Sequence, residues 1–356
     1  MAFGDESFLD LIAAWDGAGV VVHFDQPTGS WIFIAIHDAT LGPATGGTRM
    51  KVYSRPEEGL RDALRLASGM TAKWASVDLP FGGGKAVLAT PGPLEGRERQ
   101  GLLRRYGALL NTLDGAFGTG EDFGTTPDDM LEIASVSGHV VQVHGSAGGP
   151  SDPGPFTALG VFAGMRAALE QVHGQSSLDG RTVLIQGVGD VGAPLARLVS
   201  NAGGSVLLCD IDSDLAFALS VEFGGSVVKP ENVYRTPCDV FAPCALGAIL
   251  NGSTIPLLQC RVVAGSANNQ LETDQDAERL HERGILYAPD YVINSGGALA
   301  FGLIQLGAHD VEVLETRVKG IGGMLAEIFA DALVHDVSPV HSARRRVERV
   351  LAKGRG

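Results

Sequence analysis

Val20–Asp25 and Trp31–His37 are short runs rich in apolar β-branched and aromatic residues, with Pro27-Thr28-Gly29 between them, and two such runs about one turn predict a β-hairpin early in the chain. Ser7 to Trp15, just before it, has the spacing of a short amphipathic helix. The pattern then lengthens. Leu60, Ala63, Leu64, Ala67 and Met70 follow a helical spacing, which predicts a helix over Pro56–Met70 that delivers Lys73 just past its C-terminal end. A further helix is predicted over Arg97–Leu113, and a strand that begins at Phe117 and ends at Glu121-Asp122.

Between Val143 and Pro155, glycine, serine and proline fill nine of thirteen positions, too few apolar side chains for a core element, and an interdomain hinge is expected beside this loop. A helix over Thr157–Glu170 follows, then a strand over Thr182–Gln186, the run Gly187-Val188-Gly189-Asp190-Val191-Gly192 and an apolar helical stretch. Strand, glycine turn and helix in that order are what a dinucleotide-binding fold requires. The first glycine permits the tight turn, the second lets the backbone approach a pyrophosphate, and the third lets helix and strand pack closely. The pyrophosphate would rest among the free N–H groups of the helix N-terminus. Strands and helices alternate on to Ile285–Ala288, predicting a doubly wound parallel sheet, and Val313–Ala332 is predicted helical. The fold class is therefore α/β with two domains: an N-terminal α/β substrate domain over 1–145, a Rossmann-type domain over 146–324, and C-terminal helices over 325–356 returning to the first.

Composition narrows the classes. A chain of 356 residues exceeds the usual single core, and 45% apolar residues support two sizeable ones. A net charge of −14 opposes nucleic acid and anionic membrane as partners. The four cysteines, Cys209, Cys238, Cys244 and Cys260, show no CxxC spacing and read as reduced residues in or near the core. Nine histidines lack metal-binding spacing, so no metal is expected. Residues 1–16 lack a basic stretch followed by an apolar one, and no run reaches the length of a membrane span, so the expected location is cytoplasmic.

Candidate chemistry gathers in two places. Lys73, Gly82-Gly83-Gly84-Lys85 and Gly120-Glu121-Asp122-Phe123-Gly124 put two cations and a carboxylate into a glycine-rich, otherwise apolar region, which suggests a small closed pocket for a charged small molecule. The alternative is an ordinary surface network with the glycines as turn residues. Farther on, the strand Ser205–Cys209 ends at Asp210, close to the position of a ribose-binding acid, and no arginine stands nearby to meet a 2′-phosphate. A phosphate about 5 Å from that carboxylate, at an effective dielectric near 20, would cost roughly 3 kcal/mol per unit charge, on the order of a hundredfold in affinity. NAD is favoured over NADP. The alternative makes Asp210 and Asp212 caps of the next helix.

These residues resemble the leucine, valine and phenylalanine dehydrogenase branch of the amino-acid dehydrogenase superfamily. The resemblance runs almost from end to end, through Leu41–Met50, Met70–Lys73, Gly82–Val87, Gly120–Thr125, Tyr234–Leu246, Val263–Gln270 and Tyr287–Gly297. It implies reversible oxidative deamination of an L-amino acid to its 2-oxo acid and ammonia, with NAD as cofactor and a homo-oligomer as the assembly. It also implies a carboxylate-binding role for Lys73 and catalytic roles for Lys85 and Asp122. Gly46, Gly47 and Asn268 fall among its substrate-binding positions. Thr157, Asn269 and Asn294 join Gly187, Gly189, Asp190, Val191, Gly192 and Asp210 on the cofactor side.

The chemistry asks independently for such groups. A substrate carboxylate needs a permanent cation, and the water that attacks an iminium carbon needs a base whose proton affinity is lowered by a neighbouring cation and an apolar wall. Lys73 suits the first role and Lys85, in a narrow Gly82–Gly84 turn, the second. Asp122 would exchange protons with the amine. Leu41 and Met70 are expected as apolar pocket wall. Gly120 and Ala298 are smaller than the residues leucine-type relatives tend to carry, and each removed methylene is worth about 0.8 kcal/mol of apolar burial, so the cavity is expected to be enlarged. A large apolar amino acid follows, branched-chain or aromatic, with tryptophan a candidate; no extra basic residue stands beside Lys73 for the second carboxylate of glutamate. Two other readings remain: a catalytically silent NAD-binding sensor, and a 2-hydroxy-acid dehydrogenase, which would call for an active-site histidine that no motif supplies.

Overall fold

The structure, a computed structural model, describes residues 7–141 and 152–354. The chain divides into two compact units, Met1–Gly148 with Val350–Gly356, and Gly149–Arg349. The loop expected to flank the hinge falls largely outside the described residues, as does the boundary at 145/146.

The first unit opens with a short helix, α1 (Phe8–Ala13), and the expected hairpin, β1 (Gly19–Asp25) and β2 (Ser30–Asp38). The turn is closed by Asp25, whose carboxylate accepts from the Thr28 amide and hydroxyl. Next come β3 (Ala44–Val52), α2 (Pro56–Ser76), β4 (Gly82–Thr90), α3 (Gly96–Asn111), β5 (Phe117–Glu121) and α4 (Pro127–Ala134). The sheet order is β1-β2-β4-β3-β5; β4, β3 and β5 run parallel to one another and β2 antiparallel to both of its neighbours. Successive strand residues point to opposite faces. Ile32, Ile34, Ala86 and Leu88 therefore pack with Leu102, Leu103 and Tyr106 of α3, while Phe33, Ala35, Val87 and Ala89 pack with Leu60, Ala63, Leu64 and Ala67 of α2.

Two local expectations are corrected here. Gly82–Gly84 is not a turn but the start of the buried strand β4. Its glycines admit neighbours rather than bend the chain: a Cβ at Gly83 would lie 2.0 Å from Thr71 Oγ1 and one at Gly84 2.7 Å from the Phe117 ring. Helix α2 also continues past Met70 to Ser76, because Thr71, Trp74, Ala75 and Ser76 are all buried, so Lys73 sits in its last turn rather than beyond it.

The second unit contains α5 (Gly154–His173), β6 (Thr182–Gln186), α6 (Gly192–Asn201), β7 (Ser205–Cys209), α7 (Ser213–Phe223), β8 (Ser226–Val227), β9 (Val240–Pro243), β10 (Val262–Val263), α8 (Gln275–Glu282) and β11 (Leu286–Tyr287). The order β11-β10-β9-β6-β7-β8, parallel throughout, is the doubly wound arrangement, with the order reversing between β6 and β9. Helices α9 (Asp290–Ile293), α10 (Gly296–Gln305), α11 (Val311–Lys319), α12 (Ile321–His335) and α13 (Pro339–Gly354) complete the chain. The predicted Val313–Ala332 helix is thus two, divided at Gly320. The C-terminal helices over 325–356 do not all go with the first unit: α12 packs on α5 of the second, and only Val350 onward groups with the first. The reason is an apolar face of α12, Ile321, Leu325, Ile328 and Phe329, that is buried within the second unit. Among the described residues no helix is long and apolar enough to cross a membrane.

Candidate active site

Lys85 stands on β4 and Asp122 just after β5, with β3 between those strands. At the intervening positions β3 carries glycine. A Cβ at Gly46 would lie 1.9 Å from the Gly84 carbonyl oxygen, and one at Gly47 2.5 Å from the Glu121 carbonyl oxygen and 2.8 Å from Asp122 Cβ. The bare backbone lets the flanking groups close in, and the Lys85 ammonium is ion-paired and hydrogen-bonded to Asp122 Oδ2. Lys85 is only 3% exposed, so this is no surface network.

The other carboxylate oxygen has a cation of its own. Arg49 of β3 donates to Asp122 Oδ1 from both Nε and Nη2, each at 3.2 Å, and the Phe123 amide donates to it as well. Arg49 Nη1 donates to Asp62 Oδ2 at 2.8 Å, and that oxygen also accepts from the Tyr53 hydroxyl at 2.7 Å. Arg65 donates to Asp62 Oδ1 at 2.9 Å. Burial by itself would raise Asp122, but the charges of Lys85 and then Arg49 outweigh it and hold the carboxyl well below the usual carboxylate range. Asp62 is likewise lowered, the Tyr53 hydrogen bond and Arg49 overcoming its burial. Tyr53 is pushed up, by burial first and by the Asp62 carboxylate next.

Arg49, Asp62 and Tyr53 are the part of this cluster that sequence reasoning missed. Arg49 was visible within Leu41–Met50 as the one charge in a glycine-rich run, whereas Asp62 reads as a polar position on an amphipathic helix.

Lys73 is half-buried, on a helix anchored on both sides of it: Thr71 packs against Gly83, and the Trp74 indole donates to the Thr45 carbonyl at 2.9 Å. Met70 Cγ lies 3.5 Å from where a Gly46 Cβ would stand. Gly120 is buried and in register with Gly47. Leu41, expected as pocket wall with Met70, has its Cδ2 beside Gly354 at the end of α13, 3.0 Å from a Cβ built there. The loop after β5 is pinned where Thr125 Oγ1 accepts from the Asp122 amide at 3.0 Å and donates to the Thr48 carbonyl at 2.9 Å.

In the second unit the glycine turn leaves β6 at the point where the strand order reverses. Gly187 has φ of +94°, and a Cβ at Gly192 would lie 1.9 Å from the Gly187 carbonyl oxygen. Gly189 and Asp190 form the exposed rim of the turn, and Val191 is the N-cap residue of α6. Asp210 Oδ2 accepts from the Val188 amide at 2.8 Å, tying the end of β7 to the turn. Capping of α7 is left to Asp212, which accepts from the Asp214 and Leu215 amides. The two aspartates therefore have different tasks.

Thr157 Oγ1 accepts from the Gly297 amide at 3.1 Å, next to the half-buried Ala298. Asn294 Nδ2 donates to Asn268 Oδ1 at 2.8 Å and to the Ser266 carbonyl at 3.1 Å, while its Oδ1 is buried with no protein partner. Asn269 has φ of +51° and its carbonyl accepts from the Ala248 amide at 2.7 Å. A nicotinamide dinucleotide fits these groups: a turn with glycine at 187, 189 and 192 opens a helix for the pyrophosphate, and the orphaned Asn294 oxygen is an acceptor suited to a carboxamide N–H. Among the described residues no three His, Cys, Asp or Glu side chains gather to hold a metal.

A parallel sheet with this turn at its switch point, in one chain with a buried lysine–aspartate pair, defines a nicotinamide-dependent oxidoreductase. The family model for the Glu/Leu/Phe/Val dehydrogenase dimerisation domain matches residues 25–137, and that for glutamate/leucine/phenylalanine/valine dehydrogenase matches 148–214 and 215–306. The chain belongs to the Glu/Leu/Phe/Val dehydrogenase family and is an amino-acid dehydrogenase. It is 40% identical over 340 residues to leucine dehydrogenase of Thermoactinomyces intermedius, covering 96% of this chain and 92% of the relative. It is also 40% identical over 353 residues to phenylalanine dehydrogenase of Lysinibacillus sphaericus, covering 98% and 91%. The crystal structure of L-tryptophan dehydrogenase from Nostoc punctiforme superposes with a TM-score of 0.83 at 39% identity, covering 97% of this chain and 99% of that one.

Proposed function

We propose that the protein catalyses the reversible, NAD-dependent oxidative deamination of a large apolar L-amino acid, branched-chain or aromatic, to its 2-oxo acid and ammonia. The observation that carries this reading is the buried Lys85–Asp122 pair formed across the glycines of β3. Lys73 would orient the substrate carboxylate, which needs a permanent cation. Lys85 would take the proton of the water that attacks the iminium carbon, and Asp122 would exchange protons with the amine as it leaves. A bound nicotinamide supplies the hydride acceptor. Gly187, Gly189, Asp190, Val191 and Gly192 would hold its pyrophosphate, Asp210 its ribose, and Thr157, Asn269 and Asn294 the nicotinamide end.

Several features support the finer parts of this reading. The carboxylate of Asp210, with exposed Ile211 beside it and no arginine, favours NAD. Glycine at 120 and alanine at 298 favour room for a bulky side chain, and the relatives include enzymes named for leucine, phenylalanine and tryptophan. A homo-oligomer assembled through the first unit is in keeping with the dimerisation-domain match. A cytoplasmic address would keep the four free cysteines reduced. The direct test is NADH absorbance with NAD and a panel of L-amino acids. Turnover of leucine, phenylalanine or tryptophan is expected; silence with every one would overturn the reading in favour of a nucleotide-binding sensor.

A further inference from the structure

The two oxygens of Asp122 stand in unequal surroundings. Oδ1 receives the Arg49 guanidinium through two nitrogens as well as the Phe123 amide, whereas Oδ2 faces Lys85. A guanidinium that holds one carboxylate oxygen through two N–H groups constrains orientation as well as charge. Arg49 is itself held from behind: Asp62 takes its third nitrogen, and Tyr53 and Arg65 both donate to Asp62, so the acceptor that fixes Arg49 is fixed in turn. These residues come from β3, the segment after it, and α2, three stretches that the resemblance did not connect to Asp122.

From this chain of contacts we propose that Arg49, braced by Asp62, is a positioning residue that occupies Asp122 Oδ1 and leaves Oδ2, the oxygen beside Lys85, as the one that exchanges a proton with the substrate amine. In that exchange an amine N–H bond breaks as the Asp122 Oδ2–H bond forms, and the nitrogen keeps the electron pair; reversal restores both. The proposal rests on the amino-acid dehydrogenase mechanism described above. It adds that one face of the catalytic carboxylate is withheld from substrate and water. The charged and titratable groups around Asp122 are Lys85 from β4, Arg49 from β3, and, one contact further out, Asp62 and Arg65 from α2 with Tyr53; exposed Glu121 precedes it in the chain. Loss of the Arg49 charge removes an influence that favours the ionised carboxyl, so Asp122 should protonate more readily and the acid side of the rate profile should suffer most.

The test is steady-state kinetics across pH for the wild type, Arg49→Gln, Arg49→Lys and Asp62→Asn, with thermal melts and NADH binding as controls for folding. Arg49→Gln is expected to lower kcat by about 10- to 100-fold, within the range for a disturbed general acid–base group, while KM for the amino acid stays within about threefold. The loss should deepen toward acid pH. Arg49→Lys should recover part of kcat because the charge returns without the two-nitrogen grip, and Asp62→Asn should fall between. The proposal is overturned if folded Arg49→Gln keeps wild-type kcat, if KM alone rises, or if Arg49→Lys is as slow as Arg49→Gln at every pH. Should Arg49→Gln fail to fold, the same comparison passes to Arg49→Lys and Asp62→Asn, where an unchanged kcat in both overturns it. A wild type inactive on every amino acid would instead remove the proposed function itself, a result distinct from an active wild type with indifferent variants.

Discussion

The Lys85 ammonium and the Asp122 carboxylate meet across a strand that presents glycine at the two positions between them. One stands on β4 and the other just after β5, and the absence of two side chains on β3, the strand between, lets them close in. A buried ion pair repays the desolvation of its members only with close geometry and further hydrogen bonds. Here Arg49 and the Phe123 amide supply them.

Gly47→Ala should damage this arrangement more than a methyl group usually does. The added Cβ would stand 2.5 Å from a backbone oxygen, which cannot rotate away. Overpacking of this sort costs about 1–3 kcal/mol, readable as a lowered urea midpoint, and should be accompanied by a fall in kcat as Asp122 is displaced. Wild-type stability and rate together would contradict the view that β3 is bare for steric reasons.

Lys85→Ala is expected to cost roughly 10²- to 10⁴-fold in kcat, the usual effect of removing a general base, and to leave NADH binding unchanged. Lys73→Ala, by contrast, should act mainly through KM for the amino acid. Kinetics that reversed these two signatures would exchange the roles assigned to the lysines.

Substrate choice can be read from Gly120→Ala and Ala298→Val. Each adds methylene-sized volume worth about 0.8 kcal/mol per group, so kcat/KM for phenylalanine and tryptophan should fall several-fold relative to leucine and valine. Ratios that do not move would mean that these two positions do not set the choice of side chain.

Asp210→Ala should narrow the proposed preference for NADH over NADPH, by up to about a hundredfold if the carboxylate acts through repulsion of the 2′-phosphate. Because Asp210 also accepts from the Val188 amide, NADH itself should bind less tightly. Fluorescence titration with both dinucleotides separates the effects: a preserved ratio with uniformly weaker binding would assign Asp210 to shaping the turn alone.

Stability should decline on the acid side. Burial would raise Asp25, Asp62, Asp122 and Asp129, yet their cationic and hydrogen-bonding partners hold all four below the usual carboxylate range. The folded protein therefore binds fewer protons than the unfolded chain once pH drops to about 4, where unfolded aspartates begin to protonate, and stability is lost from there down through the folded values. Denaturant midpoints should hold steady above that range and drop below it; a flat profile into strong acid would contradict the assignment.

The dinucleotide-binding half was legible because its signals are local. Strand, glycine turn and helix follow one another within Thr182–Asn201, and Asp210 ends the next strand, so neighbouring residues in the chain are also neighbours in space. Lys73, Lys85 and Asp122 stood out as charges in a glycine-rich, otherwise apolar region, and the resemblance supplied their roles. Local pattern misread Gly82–Gly84, since glycine in a strand and glycine in a turn look alike until the side chains opposite are known. It also placed the C-terminal helices as a group, although the apolar face of α12 is buried in the second unit and only Val350 onward, within α13, groups with the first.

The sequence by itself determined the class of the chain, the order of its elements, the family and the cofactor turn, because periodicity, turn chemistry and motif are written over short stretches. Only the tertiary structure decided that Arg49 and Asp62 stand behind Asp122, that Asp210 ties the turn while Asp212 caps a helix, and that β4 begins with three glycines. Those facts depend on sheet order and register, which bring β3, β4, β5 and α2 together from distant parts of the chain, and no local spacing encodes such a meeting.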